Sequence, residues 1–271
     1  MPEKTRLDVA VSKVAAVSRE RAQAFILSGD VKVNGETRRK AGGIVPQGAT
    51  IEVSTHERFA SRGGYKLERA LDVFGWSVEG LRCLDVGAST GGFTDCLLQR
   101  GATSVAAVDV GYGLLAWSLR QDPRVRAIER TNFRHADPSA LGAPFDFACA
   151  DVSFISLAKL AMQFADALAA GGRMVALIKP QFEAGREAVG RGGVVRDPQA
   201  QEAAIASVIT AFERAGLRCT HLTYSPIKGP AGNIEFLLGA TRAEDVVAGD
   251  WKIARIEIEG VVRTAHETLD R

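Results

Sequence analysis

Apolar positions change period along the chain. Leu7, Val11, Val14 and Ala15 recur at helical spacing, and Ser18 stands as the N-cap of a second helix with Ala22, Phe25 and Ile26 on its apolar face. Ser28-Gly29-Asp30 stops that helix. Val31-Lys32-Val33 then alternates like a strand, Asn34-Gly35 is a hairpin turn signal, and Ile44-Val45 and Thr50–Val53 add strand pieces. The prediction is two helices followed by a small hairpin-rich sheet, ending near residue 53. Residues 54–64 carry no clear period and read as a linker. A helix follows, with Leu67, Ala70, Leu71 and Phe74 inward.

From residue 81 onwards, apolar runs alternate with helical patterns. Strands are predicted at Leu81–Val86, Ser104–Val110, Val125–Glu129, Phe145–Ala150 and Arg173–Ile178, then two late ones at Leu217–Tyr224 and Ile234–Ala240. Helices are predicted at Phe93–Arg100, Leu114–Gln121, Leu157–Ala169 and Pro198–Ala215, with a charged helix from Asp250 to the end. Near-continuous apolar strands with helical connections predict a mostly parallel sheet covered on both faces, with the last two strands as an antiparallel edge pair. The fold class is therefore α/β, Rossmann-like and seven-stranded, preceded by a small α+β module.

Composition changes this picture little until it is split. The chain has 271 residues with 34 Lys+Arg against 32 Asp+Glu. Residues 1–64 hold eleven basic and seven acidic residues, an excess of +4, and the remainder holds 23 against 25, or −2. A basic module beside a slightly acidic domain points to a polyanionic partner for the module. The longest apolar stretch, Leu157 to Leu177, is interrupted by Lys159, Asp166, Gly171, Gly172 and Arg173, so no membrane-spanning helix is expected. The polar start predicts no secretory leader. Cys83, Cys96, Cys149 and Cys219 form no CxxC pair, and the four histidines lack ligand spacing. A cytoplasmic protein with neither disulfides nor a metal site is expected.

The chemistry gathers at strand ends. Asp85-Val86-Gly87-Ala88-Ser89-Thr90-Gly91-Gly92-Phe93 follows a strand and opens a helix, a setting in which glycines admit a ligand close to the backbone. The spacing is not that of a dinucleotide site, and the absence of Gly-Lys-Ser/Thr excludes a P-loop. Asp109 ends the second strand, where an acid bonds ribose hydroxyls. An acid as early as Asp85 favours a cationic nucleoside, and S-adenosylmethionine, with its sulfonium and ammonium, suits it. Asn132 and Phe133, past the third strand, are placed to touch the adenine.

Four further charges sit where charge is least expected: Lys66, Asp151, Lys179 and Glu235. Asp151 and Lys179 close adjacent apolar strands, and opposite charges there mark a site. Lys179 could deprotonate a ribose hydroxyl if desolvation and Lys66 lower its pKa, with Asp151 and Glu235 holding the lysines. A base methylase would show Asn/Asp-Pro-Pro-aromatic where this chain has Asp151-Val152-Ser153-Phe154.

These segments carry a resemblance. Arg6-Leu7-Asp8, Ser18-Arg19 and Gly29–Gly35 resemble the S4-like RNA-binding domain, while the glycine turn with Lys66, Asp151, Lys179 and Glu235 is similar to FtsJ-type ribose 2′-O-methyltransferases. The order of the two, with Ser61–Leu67, Val108–Gly113, Ile178–Glu183 and Gly229–Glu235, resembles the TlyA/hemolysin-A family. The resemblance implies cytidine 2′-O-methylation of ribosomal RNA in ribosomal subunits, with S-adenosylmethionine as donor. It implies an S4-like domain over 1–53, a linker over 54–64, a methyltransferase domain over 65–241 and a helical tail over 242–271. Arg6, Ser18, Arg19, Arg21, Lys32, Arg38, Arg39 and Lys40 are the expected RNA-facing residues, through phosphate contacts. Two readings compete: a membrane-active hemolysin, and an RNA-binding assembly factor without turnover.

Overall fold

The computed structural model describes residues 5–15, 17–46, 48–53, 58–243 and 255–270, and only the backbone at 21, 24, 28, 186, 255 and 256. The chain divides into two compact units, Met1–Arg58 and Phe59–Arg271.

In the first unit, β1 (Thr5–Arg6) leads into α1 (Leu7–Val14), followed by α2 (Arg19–Ser28), β2 (Val31–Val33), β3 (Glu36–Thr37), β4 (Ile44–Val45) and β5 (Ile51–Val53). β2 is the centre of a three-stranded antiparallel sheet, and β1 pairs with β4. Leu7, Val11, Ala22, Ile26, Val31 and Val33 form its core. Asn34, at φ +52, and Gly35, at φ +79, make the hairpin turn that the dipeptide predicts.

The second unit begins with α3 (Gly63–Phe74), β6 (Arg82–Val86), α4 (Gly92–Gln99), β7 (Ser104–Val108), α5 (Trp117–Arg120) and β8 (Val125–Ile128). It continues through α6 (Pro138–Leu141), β9 (Phe145–Ala150), α7 (Ala161–Ala167), β10 (Leu168–Ile178) and α8 (Pro180–Glu183). It closes with α9 (Pro198–Arg214), β11 (Leu217–Tyr224), β12 (Phe236–Arg242) and α10 (Arg255–Leu269). The sheet order is β11-β12-β10-β9-β6-β7-β8. Pairings from β10 to β8 are parallel, and β12 runs antiparallel to both β10 and β11.

The pleat sends alternate residues to two cores. Cys83, Phe147, Cys149, Val175 and Leu177 pack under α3 and α4. Leu84, Val86, Ala148, Met174, Ala176 and Ile178 pack under α7, α9 and α10. Parallel strands buried on both faces read as unbroken apolar runs.

Three elements differ from the sequence pattern. The helix expected over Leu114–Gln121 is the single turn α5, because Ala116 is extended at ψ 140 and becomes the N-cap, so that helical residues start only at Trp117. The helix expected over Leu157–Ala169 splits into a 3-10 turn, Leu157–Leu160, and α7, and the chain becomes extended from Leu168. β10 therefore starts five residues earlier than predicted and carries an irregularity between Leu168 and Arg173. The charged C-terminal helix is present from Arg255; the expected start at Asp250 lies outside the described residues, as do positions 54–57 of the linker.

Candidate active site

The first site element is the turn between β6 and α4. Gly87 N–H and Ala88 N–H both donate to Val108 O, at 2.8 and 3.2 Å, fastening the turn to the neighbouring strand. Gly87 has φ +82, and a Cβ there would meet the Asp151 carbonyl oxygen at 2.5 Å, so the position requires glycine on two grounds. Asp109 receives Ser89 N–H at 2.8 Å and Gly111 N–H at 2.6 Å. These residues open into a cleft of about 350 Å³ whose walls include Gly87, Ser89, Asp109, Asn132, Phe133 and Asp151. Asn132 Oδ1 accepts from Arg134 N–H, and Phe133 packs against Phe164 with ring centroids 4.7 Å apart.

The other residues expected at the cofactor lie behind this wall. Gly92 faces α3: a Cβ there would meet Ser61 Oγ at 2.3 Å and Gly64 N at 2.9 Å. Gly91, at φ +97, is covered by Leu119 and Leu115. Ala88 and Phe93 belong to the apolar core. Asp85 has no exposed surface; it accepts Thr94 Oγ1–H at 2.6 Å and lies 3.6 Å from Cys149 Sγ. Burial pushes the Asp85 carboxyl up to about 7, against the Thr94 hydrogen bond. The pleat explains the discrepancy: Leu84 and Val86 face one core, so Asp85 faces the other, beneath α4.

The second site element is a pair of ion pairs. Lys66 lies on the apolar face of α3, between Leu67 and Gly64, and its Nζ meets Glu235 Oε2 at 2.6 Å. Glu235 immediately precedes β12, with its side chain 1% exposed. Asp151 follows β9, tethered by its N–H to Val86 O at 3.0 Å. Lys179 follows β10, and its Nζ lies 2.6 Å from Asp151 Oδ1 and 2.8 Å from Ser153 Oγ. Burial pushes Glu235 up, and Lys66 offsets only part of this. For Asp151, burial acts upward but Lys179 and Lys66 together outweigh it, holding the carboxyl below its usual range. For Lys66, burial acts downward and the charges of Asp151 and Glu235 win, so its ammonium is favoured. The four residues expected from the sequence thus form two ion pairs close enough for Lys66 and Asp151 to act on each other, and Asp151 lines the cleft.

Sequence reasoning missed three neighbours. Ser153 holds Lys179. Glu183 accepts Ser156 Oγ–H at 2.6 Å and Leu157 N–H at 2.8 Å, binding α8 to the loop after β9. Phe154, 92% exposed at φ +64, packs on Phe182 with ring centroids 5.3 Å apart. The signals were the Asp-Val-Ser-Phe and Lys-Pro-Gln-Phe-Glu segments themselves, in which only the charges at the strand ends stood out.

Among the expected RNA-facing residues, Arg6 and Arg19 each bond the fully buried Asp8, at 2.9 and 3.1 Å, and Gln23 joins them at 3.0 Å. The Arg6 hydrogen bond, with Gln23 and Arg19, holds Asp8 far below the usual carboxylate range. Lys32, Arg38, Arg39, Lys40 and Ser18 are exposed, Arg38 beside Glu36 at 2.9 Å. The Arg21 side chain lies outside the described residues. No metal-binding group of His, Cys, Asp or Glu occurs among the described residues, and no described helix is long and apolar enough to cross a membrane.

A mostly parallel seven-stranded sheet with only β12 reversed, and a glycine turn under a cleft at the strand ends, are the features of a methyltransferase. The FtsJ-like methyltransferase family matches residues 59–242, and the S4 domain matches residues 5–51. With both domains in this order, the chain belongs to the TlyA/hemolysin A family of FtsJ-like methyltransferases. It is 44% identical to the 16S/23S rRNA (cytidine-2′-O)-methyltransferase TlyA of Mycobacterium tuberculosis, over 88% of this chain and 90% of the relative. It is 32% identical to the 23S rRNA (cytidine-2′-O)-methyltransferase TlyA of Campylobacter jejuni, over 85% and 97%. A solved structure described as a hemolysin of Streptococcus thermophilus is 42% identical, covers 98% of this chain and 97% of its own, and superposes with a TM-score of 0.79.

S-adenosylmethionine, the methyl donor of this fold, fits the cleft. The Gly87 backbone is bare where a side chain could not stand, and Asp109 and Asp151 line the cleft with carboxylates that suit a cationic nucleoside.

Proposed function

We propose that this protein transfers a methyl group from S-adenosylmethionine to a cytidine ribose 2′-hydroxyl of ribosomal RNA, on the ribosomal subunits of the cytoplasm. The observation that carries the reading is the Lys179–Asp151 pair beside the buried Lys66–Glu235 pair. When bound, the donor supplies an electrophilic methyl on a sulfonium that leaves uncharged. Asp109 holds the ribose hydroxyls of the donor, and Asn132 and Phe133 border its base.

Lys179 Nζ, fixed by Asp151 and Ser153, accepts the proton of the substrate 2′-hydroxyl in its neutral form. The resulting alkoxide attacks in line, and the Lys66 ammonium, held by Glu235, stabilises its charge. The S4-like unit, residues 1–53, contributes phosphate contacts through Lys32, Arg38, Arg39 and Lys40. The relative with the higher identity is named for both subunits, which favours 16S and 23S RNA together as substrates.

The test is transfer of labelled methyl to separate 30S and 50S subunits, followed by mapping of the modified ribose. Incorporation at a cytidine 2′-oxygen in both subunits is expected. Incorporation into neither would overturn the reading in favour of a non-catalytic assembly factor.

A further inference from the structure

The last turn of α10 is polar where a packing helix needs no polarity. Its apolar residues Ile258, Val262 and Ala265 suffice to seat it on the core. Beyond them, His266 and Thr268, with Asp270 just past the helix end, bond to α9, to the end of β11 and to the loop before Glu235. His266 Nε2 lies 3.0 Å from Gln201 Oε1, and Gln201 Nε2 donates to Val195 O at 2.9 Å. Val195 N–H donates to Asn233 Oδ1 at 2.9 Å, and Asn233 Nδ2 donates to Gly193 O at the same distance. Asn233 O accepts Gly229 N–H at 2.9 Å. Gly229 lies so close to the Glu235 carboxylate that a Cβ there would meet Oε1 at 2.4 Å.

A second path returns to the same helix. Lys228 Nζ, next to Gly229, lies 2.6 Å from Asp270 Oδ1, while Asp270 Oδ2 faces His266 Nδ1 at 2.7 Å. Tyr224 Oη and Thr268 Oγ1 are 3.3 Å apart. The polar bonds therefore close a ring through α10, the start of α9, the loop before it and the loop that ends in Glu235.

Orientation within the ring is fixed. Gln201 Nε2 is spent on a carbonyl, so its oxygen must face the imidazole, and Asp270 is an acceptor on the other side. Gln201 and Asn233 are each 1% exposed, and a buried amide with a missing partner costs about 1–3 kcal/mol, so each holds its neighbour to one arrangement.

We infer that His266, Gln201 and Asn233 are positioning residues: α10 braces the loops at 190–195 and 228–235 and so sets Glu235, and through it Lys66, at the reacting hydroxyl. The consequence for turnover rests on reading this site as a methyl-transfer centre; the brace itself does not.

The experiment uses the full-length protein with two readouts, on His266→Ala, Gln201→Ala and His266→Gln. Amide exchange measured by mass spectrometry should rise about tenfold in peptides covering 190–195 and 228–235 in both alanine variants, and stay unchanged in α4. At saturating S-adenosylmethionine and subunits, kcat should fall about tenfold, with Kd for the cofactor and KM for the subunits within twofold of wild type. His266→Gln, whose amide reaches the Gln201 oxygen, should recover most of kcat. Unchanged exchange in both loops overturns the brace. Raised exchange with unchanged kcat overturns its link to Glu235. A wild-type protein that methylates neither subunit overturns the functional reading alone, and the exchange result then decides the brace by itself.

Discussion

Gly87 and Asp151 are in contact: the backbone of the cofactor turn rests on the carbonyl of the residue that pairs with Lys179, and a Cβ on Gly87 would lie 2.5 Å from that oxygen. Cofactor turn and charged pair are therefore one mechanical unit. Gly87→Ala adds a side chain at φ +82, a backbone cost of about 1–2 kcal/mol, and also displaces Asp151. Cofactor affinity by calorimetry should fall at least about a hundredfold, about 2.7 kcal/mol. Retention of wild-type affinity would show that the turn moves freely of Asp151.

Lys179→Ala separates binding from transfer. Nζ bonds Asp151 and Ser153 and does not line the cleft. Single-turnover methyl transfer should drop by at least about a thousandfold, or 4 kcal/mol, while cofactor Kd stays within threefold. Asp109→Ala should do the reverse at high cofactor concentration, raising Kd about tenfold or more with transfer partly restored by saturation.

Glu235 tests the cost of a broken buried pair. Its removal leaves the Lys66 ammonium with a side chain 9% exposed. Glu235→Ala should lower unfolding free energy by about 3–5 kcal/mol in urea titration, and Lys66→Met added to it should restore much of the loss. Equal instability of the single and double variants would show that charge burial is not the cause.

Asp85 gives a pH dependence with a definite sign. Its folded value of about 7 lies above the ordinary 3.8, so the folded state holds the proton more tightly. Stability from this group is complete below about pH 4 and is lost as pH rises towards 7. Asp85→Asn keeps an acceptor for Thr94 and removes the titration. The melting temperature of the variant relative to wild type should climb between pH 5 and pH 8 by about 2 °C or more. A flat difference would mean that Asp85 titrates normally.

In the first unit, exposed cations and structural ones should part company. Replacing Lys32, Arg38, Arg39 and Lys40 by Ala should weaken RNA binding and flatten its dependence on log salt by about three, with the fold intact. Arg6→Ala or Arg19→Ala should instead lower the melting temperature of this unit, because each leaves Asp8 buried with one cation fewer. Equal salt slopes in both sets would remove the distinction.

The sequence made the strand pattern legible because buried parallel strands are continuous apolar runs, and Asp151 and Lys179 stood out because each closes such a run, while Lys66 stood out after a glycine pair and Glu235 at the start of a late strand. Helix lengths were less legible. α5 starts late because Ala116 is extended, and α7 ends early where Leu168 turns into β10, changes of backbone direction that no apolar period records. Asp85 and Asp109 look alike in one dimension, each an acid at a strand end, yet the pleat buries one and opens the other to the cleft. Ser153 and Glu183 are ordinary loop residues until the fold brings Lys179 and Ser156 to them.

Strand β12 is the last of the sheet to leave the ribosome, yet it inserts between β10 and β11 and is preceded by Glu235. A nascent chain halted before residue 235 carries the donor turn, Lys66, Asp151 and Lys179, but leaves Lys66 without its Glu235 carboxylate and β10 paired on one side only, with β9. The Lys66–Glu235 pair and the filling of the gap between β10 and β11 are thus among the last contacts of this sheet that a chain made from its N-terminus can form.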